Sequence, residues 1–277
     1  MNHTLQIGGV AINRLGFGAM RIAGETARGA EYDRQNALAV LRRAVELGVN
    51  FIDTADVYGP EVSENLIHEA LHPYKNLVVA TKGGLTTGGG PGMRIPNGSP
   101  AHLRQACEAS LKRLGVEQIT LYQFHRPDPN VPFVDSVQAL FDLKREGKIR
   151  CIGLSNITAE QLQVALQIGT ITSVQNSYSL LDRQHEDVLK LCEQNGIAFI
   201  PYFPMGGSGG LGDEALGRIA GKYNVTPRQV GLAWLLGHSP VIVPIPGTSS
   251  VEHLEENMRA ADITLGPEDT AQLNDLA

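Results

Sequence analysis

Asn50-Phe-Ile-Asp-Thr-Ala-Asp-Val-Tyr-Gly59 begins with a short apolar run, turns polar at Asp53 and is followed by a segment of helical period over 63–71. The next run, Leu77-Val-Val-Ala-Thr-Lys82, repeats that change from apolar to polar at its own C-terminal end. Short buried strands alternating with amphipathic helices are the pattern of βα units around a parallel sheet. Working outward, the same reading predicts strands over 15–17, 50–53, 77–81, 119–124, 149–154, 173–175, 198–201 and 241–245. Between them it predicts helices over 33–47, 63–71, 101–114, 134–146, 159–166 and 186–194, with apolar residues at i, i+3, i+4 and i+7. Eight such strands give an α/β fold, a (β/α)8 TIM barrel, as a single domain over 1–277.

Gly48, Gly115, Gly147 and Gly196 each follow a predicted helix, where a left-handed C′ residue ends it. Two connections are long, 83–100 and 203–212, and both follow strands, on the side of a barrel that carries active sites. An N-terminal β-hairpin over 5–12 is expected to plug the other end. Extra helices are expected near the C-terminus over 214–223, 227–236 and 267–276. An open doubly wound sheet would place Gly-x-Gly-x-x-Gly after its first strand. Gly16-Phe-Gly18 lacks the third glycine, and Gly206-Gly-Ser-Gly-Gly210 comes far too late.

Composition narrows the partners. The chain has 277 residues, 42% hydrophobic and 19% charged, enough apolar material for one core. A net charge of −6 with no basic cluster argues against nucleic acid or an anionic membrane and for a small-molecule ligand. Cys107, Cys151 and Cys192 are odd in number and far apart, which predicts neither disulfides nor a zinc site. The eight histidines show no metal-binding helix spacing, so no metal is assigned. Without a signal-like N-terminus or a run of roughly 20 apolar residues, a cytoplasmic protein is expected. Oligomeric state is left open.

The chemistry is read where the strands run out. Asp53, Lys82 and His125 end three consecutive predicted strands, and Tyr58 follows the first of them. Singly, Asp53 could be a cap, Tyr58 a packed aromatic, Lys82 a snorkelling chain and His125 a core histidine. Together they suggest pairing, because burying a lysine and a carboxylate apart costs several kcal/mol. In this reading Lys82, held by Asp53, lowers the Tyr58 pKa from about 10 by roughly two or three units, ~3–4 kcal/mol. Tyr58 then gives a proton to a carbonyl oxygen that His125 orients.

At these residues the sequence resembles the aldo-keto reductases over nearly its whole length. The motifs are 50–59, Ala80-Thr-Lys82, Gly153-Leu-Ser-Asn156, and Val243-Pro-Ile-Pro-Gly-Thr-Ser-Ser250 with Glu255-Glu-Asn257. The resemblance implies the catalytic tetrad Asp53, Tyr58, Lys82 and His125, and hydride transfer between a nicotinamide cofactor and a small carbonyl compound. It implies that Ser155, Asn156 and Gln175 hold the carboxamide, that Tyr202 stacks on the ring, and that Phe203, Pro204, Met205 and Gly206 clasp the pyrophosphate. Gly247, Thr248, Ser249, Ser250, His253, Glu256 and Asn257 would take the adenosine 2′-phosphate, and Gly18, Met20 and Arg21 would touch the cofactor.

On the residues alone, Ser155 and Asn156 could instead cap a helix, Gln175 and Tyr202 could be core or rim, and 247–250 could be an ordinary N-cap. Many family members carry lysine at the position of Gly247 and arginine at that of His253, cations that help select the 2′-phosphate. The resemblance implies NADPH, and the absence of both cations here leaves NADH possible. The patterns at 203–207 and 246–250 resemble a bacterial branch that includes pyridoxal reductases, which implies pyridoxal or another small aldehyde as substrate. Two other readings stand beside this one. One is a non-catalytic NADP(H)-binding sensor or regulatory subunit, and the other is an unrelated barrel in which Lys82 forms a Schiff base.

Overall fold

A computed structural model of the chain describes residues 4–24, 33–88, 93–206 and 214–276. A hairpin of β1 (Thr4–Ile7) and β2 (Val10–Asn13) comes first. Then β3 (Phe17–Gly18), β4 (Phe51–Asp53), β5 (Val78–Gly83), β8 (Ile119–Phe124), β9 (Ile149–Ser155), β10 (Ser173–Gln175) and β11 (Ala198–Phe199) form one parallel seven-stranded sheet in sequence order. Helices α1 (Arg34–Glu46), α2 (Val62–Leu71), α3 (Pro100–Leu114), α4 (Phe133–Arg145), α5 (Ala159–Ile168) and α6 (Glu186–Asn195) alternate with these strands. Four more follow: α7 (Glu214–Tyr223), α8 (Pro227–His238), α9 (Val251–Met258) and α10 (Pro267–Asn274). No described helix is long and apolar enough to cross a membrane.

The predicted helix stops hold, with Gly48, Gly115, Gly147 and Gly196 all at positive φ. The first predicted strand shifts to β3, and the eighth, 241–245, is not a regular strand. Pro244 and Pro246 have no N–H to donate, so the segment cannot build a ladder. It still reaches both sheet edges. Val243 N donates to Phe199 O at 2.8 Å beside β11, and Gly16 N donates to Pro244 O at 2.9 Å beside β3. The long 83–100 connection contains its own hairpin, β6 (Leu85–Thr87) with β7 (Arg94–Pro96); its residues 89–92 lie outside the described ones. So do 207–213 of the second long connection.

Side chains alternate across the sheet, and this alternation positions the site. Ile52, Val79, Tyr122, Ile152 and Val174 pack outward against the helices, with Leu41, Ile67, Leu103 and Leu140 in the same apolar cluster. Phe51, Val78, Ala80, Leu121 and Val243 point inward, where Ile7 and Ile12 of the hairpin join them, as the predicted plug requires. The hairpin turns tightly at Gly8 and Gly9, both at positive φ, as a two-residue turn demands. Continuing each strand by two residues puts Asp53, Lys82, Gln123, Ser155 and Gln175 on the same inner face, one layer above the apolar plug.

Candidate active site

At that layer the apolar filling stops and a polar network begins. Lys82 is wholly buried; its ammonium donates to an Asp53 carboxylate oxygen, to Thr54 O at 2.9 Å and to the Tyr58 hydroxyl at 3.3 Å. The other Asp53 oxygen accepts from Gln123 Nε2 and Gln175 Nε2, each at 2.8 Å. Asp53 is thus no helix cap and Lys82 does not snorkel to solvent. The buried pair is satisfied on every side, which is the condition for tolerating charge there.

His125 lies beside Tyr58 edge to face, with ring centroids 6.0 Å apart. Burial, and then the charges of Lys82, Arg94 and Arg126, hold its imidazole pKa well below the ordinary value, so the ring is neutral. Burial alone would lower the Lys82 ammonium, but Asp53 and Tyr58 outweigh it and hold the pKa above the ordinary lysine value. A Schiff-base lysine needs the opposite shift.

The expected lowering of the Tyr58 pKa is not found. Burial raises the phenol pKa, the Asp53 charge adds to this, and the opposing pull of Lys82 is too small to reverse it. The phenol is therefore fully protonated at neutral pH, the state required of a proton donor.

Tyr58 and His125 face a cavity of about 270 Å³ at the C-terminal ends of the strands. Of the residues predicted for cofactor contact, Gly18, Met20, Arg21, Ser155, Asn156, Gln175, Tyr202, Phe203, Pro204, Met205 and Gly247 line the same cavity. Neither Ser155 nor Asn156 is a cap: the N-cap of α5 is Thr158, in a capping box with Gln161. Asn156 sits at φ 58° and donates to His125 O at 3.0 Å, while its own side-chain oxygen accepts from the Tyr202 hydroxyl at 2.8 Å. Phe203 is also left-handed, at φ 53°, and half exposed at the mouth.

The remaining predicted residues are not among those that line the cavity. Gly206 closes a turn onto Phe203 O. Ser250 is the N-cap of α9 and accepts from His253 N at 3.2 Å, while Thr248 Oγ1 accepts from Ser250 N at 3.0 Å. Ser249 O accepts from Asn36 at 2.6 Å, Glu256 accepts from Thr226 Oγ1 at 2.6 Å, and Asn257 is buried. This group builds the start of α9 and its seat against α8; Glu256 is engaged in holding the α8 cap.

Sequence reasoning missed Arg94 and Arg126, which also line the cavity. Arg94 comes from β7, and its guanidinium lies 5.4 Å from the Tyr58 ring centroid. Arg126 follows His125 directly and donates to Asn156 Oδ1 at 3.2 Å. Its adjacency to His125 was the available signal; nothing in the 83–100 stretch singled out Arg94.

The cavity suits a flat, amide-bearing group with an anionic tail. Three side chains carrying donors and acceptors, Ser155, Asn156 and Gln175, stand near an aromatic face at Tyr202. Gly18 and Gly247, which also line the cavity, pack backbone against backbone. A Cβ on Gly18 would fall 2.7 Å from Ile245 O, and one on Gly247 2.6 Å from Gly18 O. Among the described residues, no cluster of side chains could hold a metal ion.

Residues 14–277 match the aldo/keto reductase family profile. An uncharacterized oxidoreductase of Schizosaccharomyces pombe, C215.11c, is 47% identical over 98% of this chain and 89% of that protein. The pyridoxine 4-dehydrogenase of Escherichia coli is 39% identical over 100% of this chain and 99% of its own length. Among solved structures, the thermostable aldo-keto reductase Tm1743 in complex with epalrestat superposes with a TM-score of 0.85 at 30% identity, covering 99% of both chains. An aldo-keto reductase from Klebsiella pneumoniae in complex with NADPH gives a TM-score of 0.84 at 28% identity, covering 100% of this chain and 95% of the other.

Proposed function

The chain belongs to the aldo/keto reductase family, and on that footing we propose that it is an NADPH-dependent reductase of small aldehydes, pyridoxal among them, with Tyr58 as proton donor. The observation that carries this reading is the buried chain from Asp53 through Lys82 to the Tyr58 hydroxyl, which opens on a cavity beside a neutral His125. We read the fold as a single domain over 1–277 in which 241–246 completes an eight-stave barrel between β11 and β3.

Asn156, Gln175 and Ser155 would hold a nicotinamide carboxamide, Tyr202 would cover one face of the ring, and the Gly18 and Gly247 wall would let the cofactor lie close to backbone. When bound, the reduced nicotinamide supplies the hydride for the carbonyl carbon. The chain supplies the rest. Tyr58 Oη releases its proton toward a carbonyl oxygen, and Lys82 stabilises the phenolate that this leaves. Asp53, fixed by Gln123 and Gln175, keeps Lys82 charged and aimed. His125, neutral, is a hydrogen-bonding partner for the carbonyl oxygen and adds no competing charge. The tetrad walls are buried, so each of these interactions acts in a medium of low polarity.

The relatedness to pyridoxine 4-dehydrogenase supports a B6 aldehyde as the substrate to try first. The test is the decay of nicotinamide absorbance with purified protein, NADPH or NADH, and a panel of pyridoxal, methylglyoxal and aromatic aldehydes. Oxidation that requires the carbonyl compound, faster with NADPH, is the expected result. Tight cofactor binding without turnover would replace the reductase by the regulatory-subunit reading.

A further inference from the structure

We propose that Gln123 is a positioning residue for the cofactor: with Asp53 it commits both N–H groups of Gln175, so that Gln175 meets the cavity as an acceptor only and reads the NH2 of a nicotinamide carboxamide. The proposal rests on the reductase reading of the same site and names what that site recognises in its cofactor.

Asp53 on β4 and Gln175 on β10 are four strands apart in the sheet, with Gln123 on β8 midway between them. The three side chains meet on its inner face. Gln123 is wholly buried and reaches over Gly153, its partner in β9, where a Cβ would fall 2.7 Å from Gln123 Cγ. Charge dictates the polarity of this cluster. The Lys82 ammonium keeps Asp53 a carboxylate, and a carboxylate only accepts, so both amides that face its Oδ2 must present nitrogen. With its nitrogen so placed, Gln123 turns its Oε1 to the Gln175 amide nitrogen, at 3.2 Å. A Gln175 amide turned the other way would set its oxygen against both Asp53 Oδ2 and Gln123 Oε1, two acceptors.

Gln175 lines the cavity, and among the described residues nothing donates to its Oε1. A second fixed polarity stands beside it. Asn156 donates to His125 O and to Ser155 Oγ, each at 3.0 Å, while its oxygen accepts from Tyr202 and Arg126, which leaves that side chain saturated. Ser155 Oγ accepts on the Asn156 side and keeps its O–H for the cavity that it lines. The amide site therefore offers one donor, Ser155, and one acceptor, Gln175. A carboxamide carries one carbonyl and one NH2, and it satisfies both partners in a single rotation about its bond to the ring. A site built in this way rejects an analogue that lacks the NH2, because a buried acceptor is then left unpaired.

The test is calorimetric titration of the full chain with NADP⁺ and with its 3-acetylpyridine analogue, in which a methyl replaces the amide NH2. NADP⁺ is expected to bind tighter by about tenfold or more, since the analogue leaves Gln175 Oε1 without a donor. Gln123→Met keeps the length of the side chain and removes both of its polar atoms. The N–H of Gln175 that it releases is then free to turn to the cavity and meet the analogue's carbonyl, so the affinity ratio should fall by about threefold or more. A general loss of packing or affinity cancels in that ratio. A ratio near one in the parent, or one that Gln123→Met leaves unchanged, overturns the positioning role while leaving the cofactor reading intact. If neither nucleotide binds, the cofactor reading fails and the proposal fails with it. Should Gln123→Met not fold, hydrogen exchange of the Gln175 side-chain amide in the parent decides, its ¹⁵N resonance assigned by its loss in Gln175→Glu. Slow exchange of both protons supports the commitment to Asp53 and Gln123, and exchange as fast as that of exposed glutamines overturns it.

Discussion

The Lys82 ammonium donates to the Tyr58 hydroxyl oxygen across 3.3 Å, with both side chains buried. An oxygen that accepts on the Lys82 side turns its own O–H away from it. Tyr58 also lines the cavity, so the proton is presented where a carbonyl would stand. Tyr58→Phe keeps the ring and removes that proton. It should lower kcat by about 10²–10⁴ and leave the NADPH dissociation constant within about twofold. Steady-state rates and cofactor fluorescence titration check both; near-normal turnover would remove Tyr58 from its assigned role.

Lys82→Met leaves the Asp53 carboxylate buried without its counter-ion. The loss should be about 3–5 kcal/mol, toward the lower end because Gln123 and Gln175 still bond to Asp53. Adding Asp53→Asn should restore most of the stability and none of the activity. Urea denaturation of the parent, single and double variants measures the difference, and a single variant as stable as the parent would contradict the pairing.

His125 should remain a neutral imidazole well below pH 6.5, visible in the ¹⁵N chemical shifts of its ring. The unfolded chain takes up this proton near pH 6.5, whereas the folded chain resists it because burial and three cations oppose the charge. Below about 6.5 the unfolded state thus binds more protons, and stability falls with falling pH. His125→Gln should flatten that part of the pH dependence. A ring that titrates near 6.5 in the folded protein would remove this account.

Asp56 behaves in the opposite sense. Burial, and then the charge of Glu64, push its carboxyl up to about 7, and one of its oxygens is buried without a hydrogen-bond partner among the described residues. Between about pH 4 and 7 the folded state keeps a proton that the unfolded state has released, so this group's contribution to stability falls as pH rises through that window. Asp56→Asn should match the parent near pH 4 and exceed it at pH 8 by about 2 kcal/mol. That is less than the full shift implies, because the side chain is partly reached by solvent. Thermal unfolding at the two pH values separates the cases.

Gly247→Ala would drive a methyl against the Gly18 carbonyl oxygen, 2.6 Å away, where only backbone can yield. It should cost about 1–3 kcal/mol and weaken NADPH binding severalfold by parting the cavity wall. Gly217→Ala, in α7 with nothing among the described residues within 4 Å of the added methyl, is the control and should stabilise by up to about 1 kcal/mol. Equal behaviour of the two variants would show that the close backbone approach is unimportant.

Much of this arrangement was readable from linear order. In a parallel sheet every strand points the same way, so a polar residue just past an apolar run must reach the same end of the molecule. That rule placed Asp53, Lys82 and His125 together, the resemblance added Ser155 and Gln175, and the glycine stops marked where helices return. Tyr58 followed from its short distance past Asp53, while Tyr202 and the 203–205 loop were implied by the resemblance alone. The departures have equally physical causes. The 241–245 run is apolar enough to predict a strand, yet Pro244 and Pro246 deny it a ladder. Glu256, which the resemblance assigned to cofactor, accepts from Thr226, thirty residues earlier in sequence, a contact that no local pattern announces.

Linear order alone set the alternation of strands and helices, the side of the sheet on which polar residues gather, and the convergence of Asp53, Tyr58, Lys82 and His125, because these depend on local period and strand direction. Only the tertiary structure decided what depends on distances between remote segments. The balance of burial against Lys82 that keeps the Tyr58 phenol protonated is one such outcome. The approach of Gly247 to Gly18, and the delivery of Arg94 from a separate hairpin to the face of Tyr58, are two others. Burial and electrostatics sum over everything nearby in space, and no spacing along the chain reports that sum.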